Sequence, residues 1–388
     1  APLLASTTAA HAALEAAYGL VVIDGHVYVS SAAMHAMSVL DTTLFAPVPA
    51  PPPSVPPAPP PAAPPPSSVV ATLHDATQLR SARGVASSGS STLYVAAGDA
   101  LTIVDISTAS APSIIGSYSS ATYLGGAWAV ALSPSPSAAS PSQRQRADGS
   151  LFAYVCAFDV ARLTVVSVAN GASPAFHGSV AAGGIDGWLD GAAAVAVAPR
   201  EPRAVLVLAT RSARLTSIDV SNPAAPTLGG SMHDATALQG AVGLAVREMH
   251  AYVACTSGQL TIVSIATPWA PQLAGSVHDA TLLDGARAVV VDGLVAYVAS
   301  AAYAGVAVVD VSLPTSPTLV GSVREPALLA NASALALAGG RLYVSGTSGG
   351  RVAALDVSDA RAPLLASTTA AHAALEAASG LVVVDGHV

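Results

Sequence analysis

The sequence predicts an all-β protein, a seven-bladed β-propeller of four-stranded blades with a polyproline II linker after its first repeat. Three observations carry this prediction. A sequence motif recurs in related copies along the 388-residue chain, at intervals of about 45 to 60 residues. Apolar runs rich in Val and Ile are broken by Gly, Pro, Asp or Ser about every six to ten residues. Four such runs in each of about seven units is the arithmetic of a propeller.

The units divide the chain into four parts. Residues 1–46 form a first repeat able to complete a blade, 47–68 form the linker, 69–366 form six consecutive blades, and 367–388 form a partial blade that duplicates the N-terminal repeat. The clearest copy of the repeat is Gly275 to Val320. Within and just beyond it, four strands are predicted: Arg287–Asp292, Val295–Ser300, Gly305–Val311 and Thr318–Val323.

The composition excludes several classes of protein. Charged residues are 10% of the chain, the net charge is -8, and all 15 basic residues are arginine, which argues against a nucleic-acid binder. Mean hydropathy is +0.57, yet every apolar run is interrupted before the roughly 18 residues that a membrane-spanning helix needs. Sheets that are buried on both faces account for the excess of Ala and Val.

Two phrases carry a resemblance to a known family. Leu101–Asp105 reads LTIVD, and Asp219–Ser231 and Asp310–Ser322 share the junction D-x-S-x-P-x-x-P-x-L-x-G-S. These residues resemble the LVIVD-repeat β-propellers over most of the chain outside the proline segment. The resemblance implies a propeller and, in many members, an extracellular or surface location, but it implies no particular chemistry. The Asp and Ser of the junction are expected to cap backbone N–H groups before a proline.

The two ends of the chain are copies of one another. Residues 1–27 and 362–388 are the same sequence at an offset of 361, apart from Tyr18/Ser379 and Ile23/Val384. A closed ring has one place for this unit, so one copy is expected to pair with an identical gap on a neighbour and to generate an open filament. The alternative is one period cut from a longer tandem polypeptide, and both remain open. The predicted assembly residues are Leu3, Leu4, Ser6, Leu20, Val21, Val22, Leu364, Leu365, Ser367, Leu381, Val382 and Val383.

The linker is dominated by proline. From Pro47 to Pro66, 13 of 20 residues are proline, which predicts an extended spacer of roughly 60 Å at about 3.1 Å per residue. The segment resembles the hydroxyproline-rich glycoproteins of plant and green-algal walls, which implies hydroxylated, sugar-bearing prolines; an unmodified linker is the alternative. Including the sequon at Asn331, the predicted glycosylation sites are Asn331, Ser54, Pro51, Pro52, Pro53, Pro56, Pro57, Pro59, Pro60, Pro61, Pro64, Pro65 and Pro66.

No catalytic motif is found, and we expect neither an enzyme nor a cofactor. The phrase His-Asp-Ala-Thr recurs from His74, His233 and His278. Converging His and Asp side chains would suit a metal, but we favour the interpretation that they satisfy backbone groups at strand junctions. Cys156 and Cys255 are one residue out of step in similar strands, so we expect no disulfide.

The predicted function is a structural protomer of an extracellular glycoprotein filament. Its partners are further copies of itself, joined head to tail, and covalent glycans on the proline segment, with no nucleic acid and no membrane span. The alternative is a monomeric secreted or cell-surface propeller that binds a protein or a glycan. The three tryptophans lie in different repeat contexts, so no repeated sugar platform is predicted; Trp188 is the best candidate for an exposed contact, and Trp269 is interpreted as packing.

Overall fold

Seven β-sheets, each with four antiparallel strands, form a closed propeller. The computed structural model describes residues 19–23, 26–31, 35–41, 69–88, 91–133, 151–183, 187–198, 204–346, 351–359, 361–368 and 382–383. One helix of a single turn, α1 (Ala121–Leu124), lies among the strands and is capped by Ser120. In these ranges no helix has the length and apolar character needed to cross a membrane.

Each blade contributes four strands, numbered here in chain order. Blade one consists of β1 (Gly19–Ile23), β2 (His26–Ser31), β3 (Ala36–Asp41) and β4 (Val69–His74). Blade two consists of β5 (Ala82–Ser87), β6 (Thr92–Ala97), β7 (Ala100–Asp105) and β8 (Ser113–Ser119). Blade three consists of β9 (Ala127–Leu132), β10 (Phe152–Ala157), β11 (Arg162–Ser167) and β12 (Ala175–Ala181).

The remaining four blades follow the same plan. Blade four consists of β13 (Ala192–Val197), β14 (Ala204–Ala209), β15 (Arg214–Asp219) and β16 (Thr227–His233). Blade five consists of β17 (Ala241–Arg247), β18 (His250–Cys255), β19 (Gln259–Ser264) and β20 (Gln272–His278). Blade six consists of β21 (Ala286–Asp292), β22 (Val295–Ser300), β23 (Gly305–Asp310) and β24 (Thr318–Arg324). Blade seven consists of β25 (Ala332–Ala338), β26 (Arg341–Gly346), β27 (Arg351–Asp356) and β28 (Leu364–Thr368).

The predicted fold class is confirmed, and the four strands predicted in blade six agree with the structure to within one residue at each end. One boundary differs from the expectation. Val69–His74 does not open the six-blade block: it pairs with β3 and completes blade one. The block therefore begins at β5. β4 supplies the fourth, outer strand of blade one, and residues 42–68, which include the proline segment, lie between β3 and β4 in the sequence.

The first strand of each blade faces the central axis. These inner strands neighbour one another around the ring in the order β1, β5, β9, β13, β17, β21, β25, and β25 returns to β1. We call the face of the ring on which the inner strands begin the mouth face. The turns between the second and third strands of each blade also lie on the mouth face. The hairpins between first and second strands, and the loops between third and fourth, lie on the opposite face.

Apolar side chains fill the spaces between successive blades. The cluster between blades six and seven, for example, joins Tyr297, Val306 and Leu329 to Leu335 and Leu342, each at most 1% exposed. Equivalent clusters join blades one to two, two to three, three to four, four to five and five to six. Because both faces of most strands are covered, small residues dominate, as the composition predicted.

The family-like junction is explained by packing between blades. In the fourth strands of blades two to six, a glycine lies beneath the loop of the next blade; at Gly230 an added Cβ would overlap the carbonyl group of Trp269. Trp269 therefore contributes to packing at a blade junction, as predicted. The Asp that ends the third strand accepts a hydrogen bond from the backbone N–H of the Ser two residues later, as Asp310 does from Ser312 at 2.9 Å. This confirms the predicted aspartate cap.

Candidate functional site

The described residues of the duplicated segments lie in blades seven and one, the two blades that close the ring. Leu364, Leu365 and Ser367 lie in β28, the outer strand of blade seven. Leu20, Val21 and Val22 lie in β1, the inner strand of blade one. Of the C-terminal copy, Val382 and Val383 form a short strand, β29 (Val382–Val383), alongside β1. The predicted residues Leu3, Leu4, Ser6 and Leu381 lie outside the described residues.

The pairing of β29 with β1 brings the two copies side by side in register. Val21 pairs with Val382 and Val22 with Val383, each at the offset of 361 that relates the copies. The pairing is parallel, whereas every other described pair of strands is antiparallel. As a result, the sheet of blade one has five strands and the other six sheets have four.

The C-terminal copy is spaced along the chain like an ordinary inner strand. In blades five and six the outer strand contains a glycine, Gly275 or Gly321, and the next inner strand has an alanine just after its bulge, Ala288 or Ala334. Ala288 follows Gly275 by 13 residues, and Ala334 follows Gly321 by 13 residues. The same separation runs from Ser367 to Gly380. The segment from Gly380 onwards therefore has the position and the sequence of a blade-one inner strand, but β1 already occupies that place.

The outer strands of blades seven and one, the closing blades, also lack the glycine that packs under a neighbouring loop in blades two to six. By ladder register, Ala71 pairs with Val39 and Ser367 with Ala354 at the position where Gly321 pairs with Val308. In blades two to six, a Cβ at this position would overlap the neighbouring loop. The closing blades thus lack the glycine that allows the outer strand of each of blades two to six to pack closely against the loop of the next blade.

The His-Asp phrases lie at the ends of outer strands, in blades one, four and five. Each Asp caps the turn that follows: Asp234 accepts hydrogen bonds from the backbone N–H groups of Thr236 at 2.9 Å and Ala237 at 2.8 Å. These bonds lower the pKa of Asp234. Among the described residues, no group of three or more His, Cys, Asp or Glu is arranged to hold a metal. The structure thus supplies the backbone-capping role that the sequence favoured.

Asn331 of the sequon is exposed on the mouth face, immediately before β25. Its φ is 57°, in the left-handed region that glycine and asparagine tolerate best. Glycines fill the equivalent position before β9, β13, β17 and β21. Asparagine is therefore explained by backbone conformation alone. Ser54 and the predicted proline glycosylation sites lie outside the described residues.

A second site lies at the mouth of the central channel, and sequence reasoning missed it. A β-bulge near the start of the inner strand shifts the register in blades two to seven. The residue at this bulge follows a buried alanine and precedes a Gly or Ala, and its identity varies from blade to blade. In order from blade two to blade seven, these bulge residues are Arg83, Trp128, Ala193, Val242, Arg287 and Ser333.

Four side chains from three blades stack at this mouth. The Arg83 guanidinium carbon lies 3.8 Å from the Trp128 ring centroid. The Trp128 and Phe158 rings are stacked with centroids 4.4 Å apart. The Arg211 guanidinium carbon lies 4.5 Å from the Phe158 ring centroid, and Arg211 forms an ion pair with Asp190 at 3.5 Å. The two cations hold the aromatic pair between them.

The stack borders a cavity of about 270 Å³. Arg287 faces it from blade six, and the lining is completed by Ala193, Thr210, Val242, Thr256 and Ser333. A further space of about 170 Å³ lies deeper in the channel and shares Trp128, Ala193, Val242, Arg287 and Ser333 with the first. A chain with 4% aromatic residues thus places an aromatic pair and a cation around one opening.

The signal for this site was present in the aligned repeats. Arg83 lies in SARG, Trp128 in GAWA and Arg287 in GARA, so one variable position stands between near-constant neighbours. Trp188, which sequence analysis preferred as an exposed contact, is instead half-buried. Its carbonyl group accepts a hydrogen bond from Thr216 Oγ1 at 2.7 Å.

The two cysteines are buried and free, in blades three and five, which agrees with the prediction of no disulfide. Cys156 packs in the cluster between blades three and four, and Cys255 in the cluster between blades four and five. Burial raises the pKa of both thiols, that of Cys255 to about 12. Neither thiol is a nucleophile at neutral pH.

Comparison with known proteins supports the repeat and the fold. The model of the LVIVD repeat matches residues 80–120, 208–234, 240–279 and 285–325, which correspond largely to blades two, four, five and six. This agrees with the resemblance in the sequence for those segments. No curated protein sequence matches the chain.

Solved structures resemble the whole propeller at low sequence identity. A functionally unknown protein from Desulfotomaculum acetoxidans has a TM-score of 0.64 and 12% identity over 92% of this chain and 100% of its own. The periplasmic gluconolactonase of Pseudomonas aeruginosa has a TM-score of 0.64 and 11% identity over 80% of this chain and 89% of its own. A protein from Lactobacillus plantarum has a TM-score of 0.59 and 15% identity over 91% of this chain and 94% of its own. Similarity at this level establishes the fold alone.

Proposed function

We propose that the chain is a self-assembling structural protein. Its C-terminal copy of the blade-one inner strand is inserted into blade one of a neighbouring molecule, which links propellers head to tail. The observation that supports this proposal is the placement of Val382 and Val383 next to their own duplicates, Val21 and Val22. The chain holds one more inner strand than the ring has places for.

The place in the neighbour is defined by the register of β1. Leu20 pairs with Val29, Val21 with Tyr28 and Val22 with Val27. Leu381, Val382 and Val383 carry the same residue types at the matching positions. An exchanged strand would make the same antiparallel ladder with β2 as β1 does. Antiparallel pairing over several residues replaces the two-residue parallel pairing of β29, and strand addition of this kind is a common source of affinity between chains.

The segment between β28 and Gly380 contains enough residues to reach another molecule. Eleven residues separate Thr368 at the end of β28 from Gly380, and a fully extended chain covers at most about 3.3 to 3.6 Å per residue, or roughly 40 Å here. Because the contact joins two different surfaces, repeated exchange gives an open filament rather than a closed dimer.

We further propose that the filament is extracellular and carries sugars on one face. The strand ends that flank the proline segment, Asp41 and Val69, lie on the face opposite the mouth, as do Leu132 and Phe152, which flank a second Ser- and Pro-rich stretch at residues 133–142. Both candidate glycosylated segments therefore leave the ring on one face. The intact mass of protein from its natural source, measured before and after removal of sugars, tests this: a mass that falls on deglycosylation supports covalent sugars, and an unchanged mass excludes them.

The assembly is tested by removing the additional strand. Full-length protein is expected to show a light-scattering mass that rises with concentration in steps of 38.0 kDa, and fibres with one propeller per repeat in negative stain. A chain ending after Ser379 should remain monomeric with an unchanged melting temperature, because β29 is a two-residue fifth strand at the edge of blade one, which keeps its other four strands.

A matched variant controls for nonspecific effects of changing the C terminus. Val384→Ile makes the C-terminal copy identical to the N-terminal copy at the position of Ile23, and should assemble at least as well as the unchanged chain. Full-length protein that remains monomeric from micromolar concentrations upward would rule out strand exchange.

A further inference from the structure

The cavity at the channel mouth has two unlike walls. On the side of blade three, Trp128 and Phe158 present an aromatic pair that Arg83 and Arg211 hold in place from either end. On the side of blade six, Arg287 presents a guanidinium. The bulges of the inner strands place Arg83, Trp128 and Arg287 at the opening. Phe158 and Arg211 lie in the turns between the second and third strands of blades three and four.

The lining carries positive charge without a carboxylate. No Asp or Glu lines either part of the cavity within the described residues. Asp190 on the same face is already paired with Arg211. Arg287 is only partly exposed, and no hydrogen bond or ion pair joins its guanidinium to another residue of the described ranges. A partly buried cation without a counter-ion is costly, and a bound anion would relieve this cost.

Two other polar side chains of the lining have their hydroxyl protons committed. Thr210 Oγ1 donates to the carbonyl group of Ala241 at 2.7 Å, and Thr256 Oγ1 donates to that of Gly240 at 3.2 Å. These hydroxyls can accept from a ligand but are poor donors to one. Arg287 is the only cation among the described residues that line the cavity, and the two parallel N–H groups of its planar guanidinium match the two oxygens of a carboxylate.

We propose that the channel mouth binds a small carboxylate carried on a ring, with the carboxylate on Arg287 and the ring against Trp128 and Phe158. The volume of about 270 Å³ lies near the lower end of the roughly 300 to 1,000 Å³ of small-molecule pockets, so the ligand is a single-ring molecule. Aromatic acids and monosaccharide acids share this chemistry: the faces of Trp128 and Phe158 are covered by Arg83, by each other and by Arg211, so either ligand ring packs against the edges of the two aromatic rings that border the cavity. The site does not depend on filament assembly.

Calorimetric titration of the full chain tests the proposal with three probes. Benzoate represents an aromatic acid, glucuronate a sugar acid, and benzamide a neutral molecule with the ring of benzoate. We expect saturable binding of benzoate, glucuronate or both, and at least tenfold weaker binding of benzamide. Binding of benzoate alone assigns the site to aromatic acids, and binding of glucuronate alone assigns it to sugar acids. No saturable binding of either acid at millimolar concentration overturns the proposal.

Three variants locate the binding. Arg287→Gln should weaken binding of the acid at least tenfold while the melting temperature stays within a few degrees. Arg324→Gln, in the outer strand of the same blade, removes an equal charge and should bind like the unchanged chain. Val242→Phe keeps every charge but fills the cavity, so it should abolish binding. This variant still tests the proposal if Arg287→Gln fails to fold. Equal loss in Arg287→Gln and Arg324→Gln, or unchanged binding in Val242→Phe, would contradict the assignment.

Discussion

Blades two to six and the closing blades, one and seven, share one ladder but differ at the point where blades meet. In each of blades two to six, a glycine in the outer strand lies under the next blade's loop: Gly116, Gly178, Gly230, Gly275 and Gly321. Blades one and seven carry Ala71 and Ser367 at this position. Blade one also receives the proline segment between β3 and β4, and a copy of its inner strand lies beside it.

The difference indicates two kinds of interface. Between interior blades, backbone approaches backbone so closely that a single methyl group does not fit, and such packing is costly to open. At the closure, Ala71 and Ser367 stand at the position of this glycine, and β29 lies beside β1, which has nearly the same sequence. The proposed strand exchange would involve this part of the ring and leave the glycine-packed blades unchanged.

The largest effect should come from adding a side chain at an interior glycine. Gly230→Val should destabilise the protein by about 3 kcal/mol or more, because the added atoms overlap the carbonyl group of Trp269 and backbone cannot move aside. Ala71→Val, at the same ladder position in blade one, should cost about 1 kcal/mol or less. Chemical denaturation measures both. Equal costs would mean that the two kinds of interface do not differ.

The aspartate caps should behave alike in both parts of the ring. Asp234→Ala in blade four should cost about 1 kcal/mol, since two backbone N–H groups lose their acceptor, and Asp75→Ala in blade one removes the same pair of bonds. Similar costs in thermal melts would confine the difference between the regions to the glycine position. A much smaller loss of stability for Asp75→Ala would show that blade one is less tightly packed than blade four at its turns as well as at the glycine position.

Acid should weaken blades one, two and four to seven through these caps. Backbone hydrogen bonds lower the pKa of Asp75, Asp105, Asp234, Asp279 and Asp356, and hydrogen bonds with Ser312 lower that of Asp310. A carboxylate with a lowered pKa in the folded state stabilises the protein above its unfolded pKa of about 3.9, and this contribution is lost as the pH falls through the folded value. The melting temperature should therefore fall below about pH 4. An unchanged melting temperature at about pH 3 would contradict these caps.

The smallest effect should come from Asn331→Gly. Its φ of 57° suits glycine, so the free energy of unfolding should change by less than about 1 kcal/mol. Gly240→Ala, at the matching position of blade five with a φ of 68°, should cost more than this, because alanine is strained there and its Cβ meets Thr256 Oγ1. Thermal melts compare the two variants, and a larger loss for Asn331→Gly would show that the asparagine side chain has a stabilising role of its own.

The strands and their caps were predictable because they depend on local sequence. The apolar run at Val295–Ser300 predicts a strand from its own residues, and the Asp-x-Ser turn at Asp310 predicts a backbone cap in the same way. The outer strand of blade one was assigned to the wrong side of a boundary because the proline segment separates Val69–His74 from its partner β3. The channel mouth was missed because Arg83, Trp128 and Phe158 come from separate segments and meet only through the ring and its bulges.

The central claim is that the C-terminal copy occupies the place of β1 in a neighbour, and disulfide trapping tests it most directly. Val22 faces Val27 across the β1–β2 ladder, and antiparallel partners have Cα atoms about 4.5 to 5.5 Å apart, within reach of a disulfide. In an exchanged molecule, Val383 takes the place of Val22. Cys156 and Cys255 are buried and do not interfere.

The decisive variant carries Val27→Cys and Val383→Cys, and the control carries Val22→Cys and Val27→Cys. After mild oxidation, the first should give a ladder of bands in multiples of 38.0 kDa on a non-reducing gel, whereas the control should give mainly an internal bond in a single chain. A single band at the monomer position for the first variant, with the internal bond formed in the control, would show that β1 alone occupies its place and would contradict strand exchange.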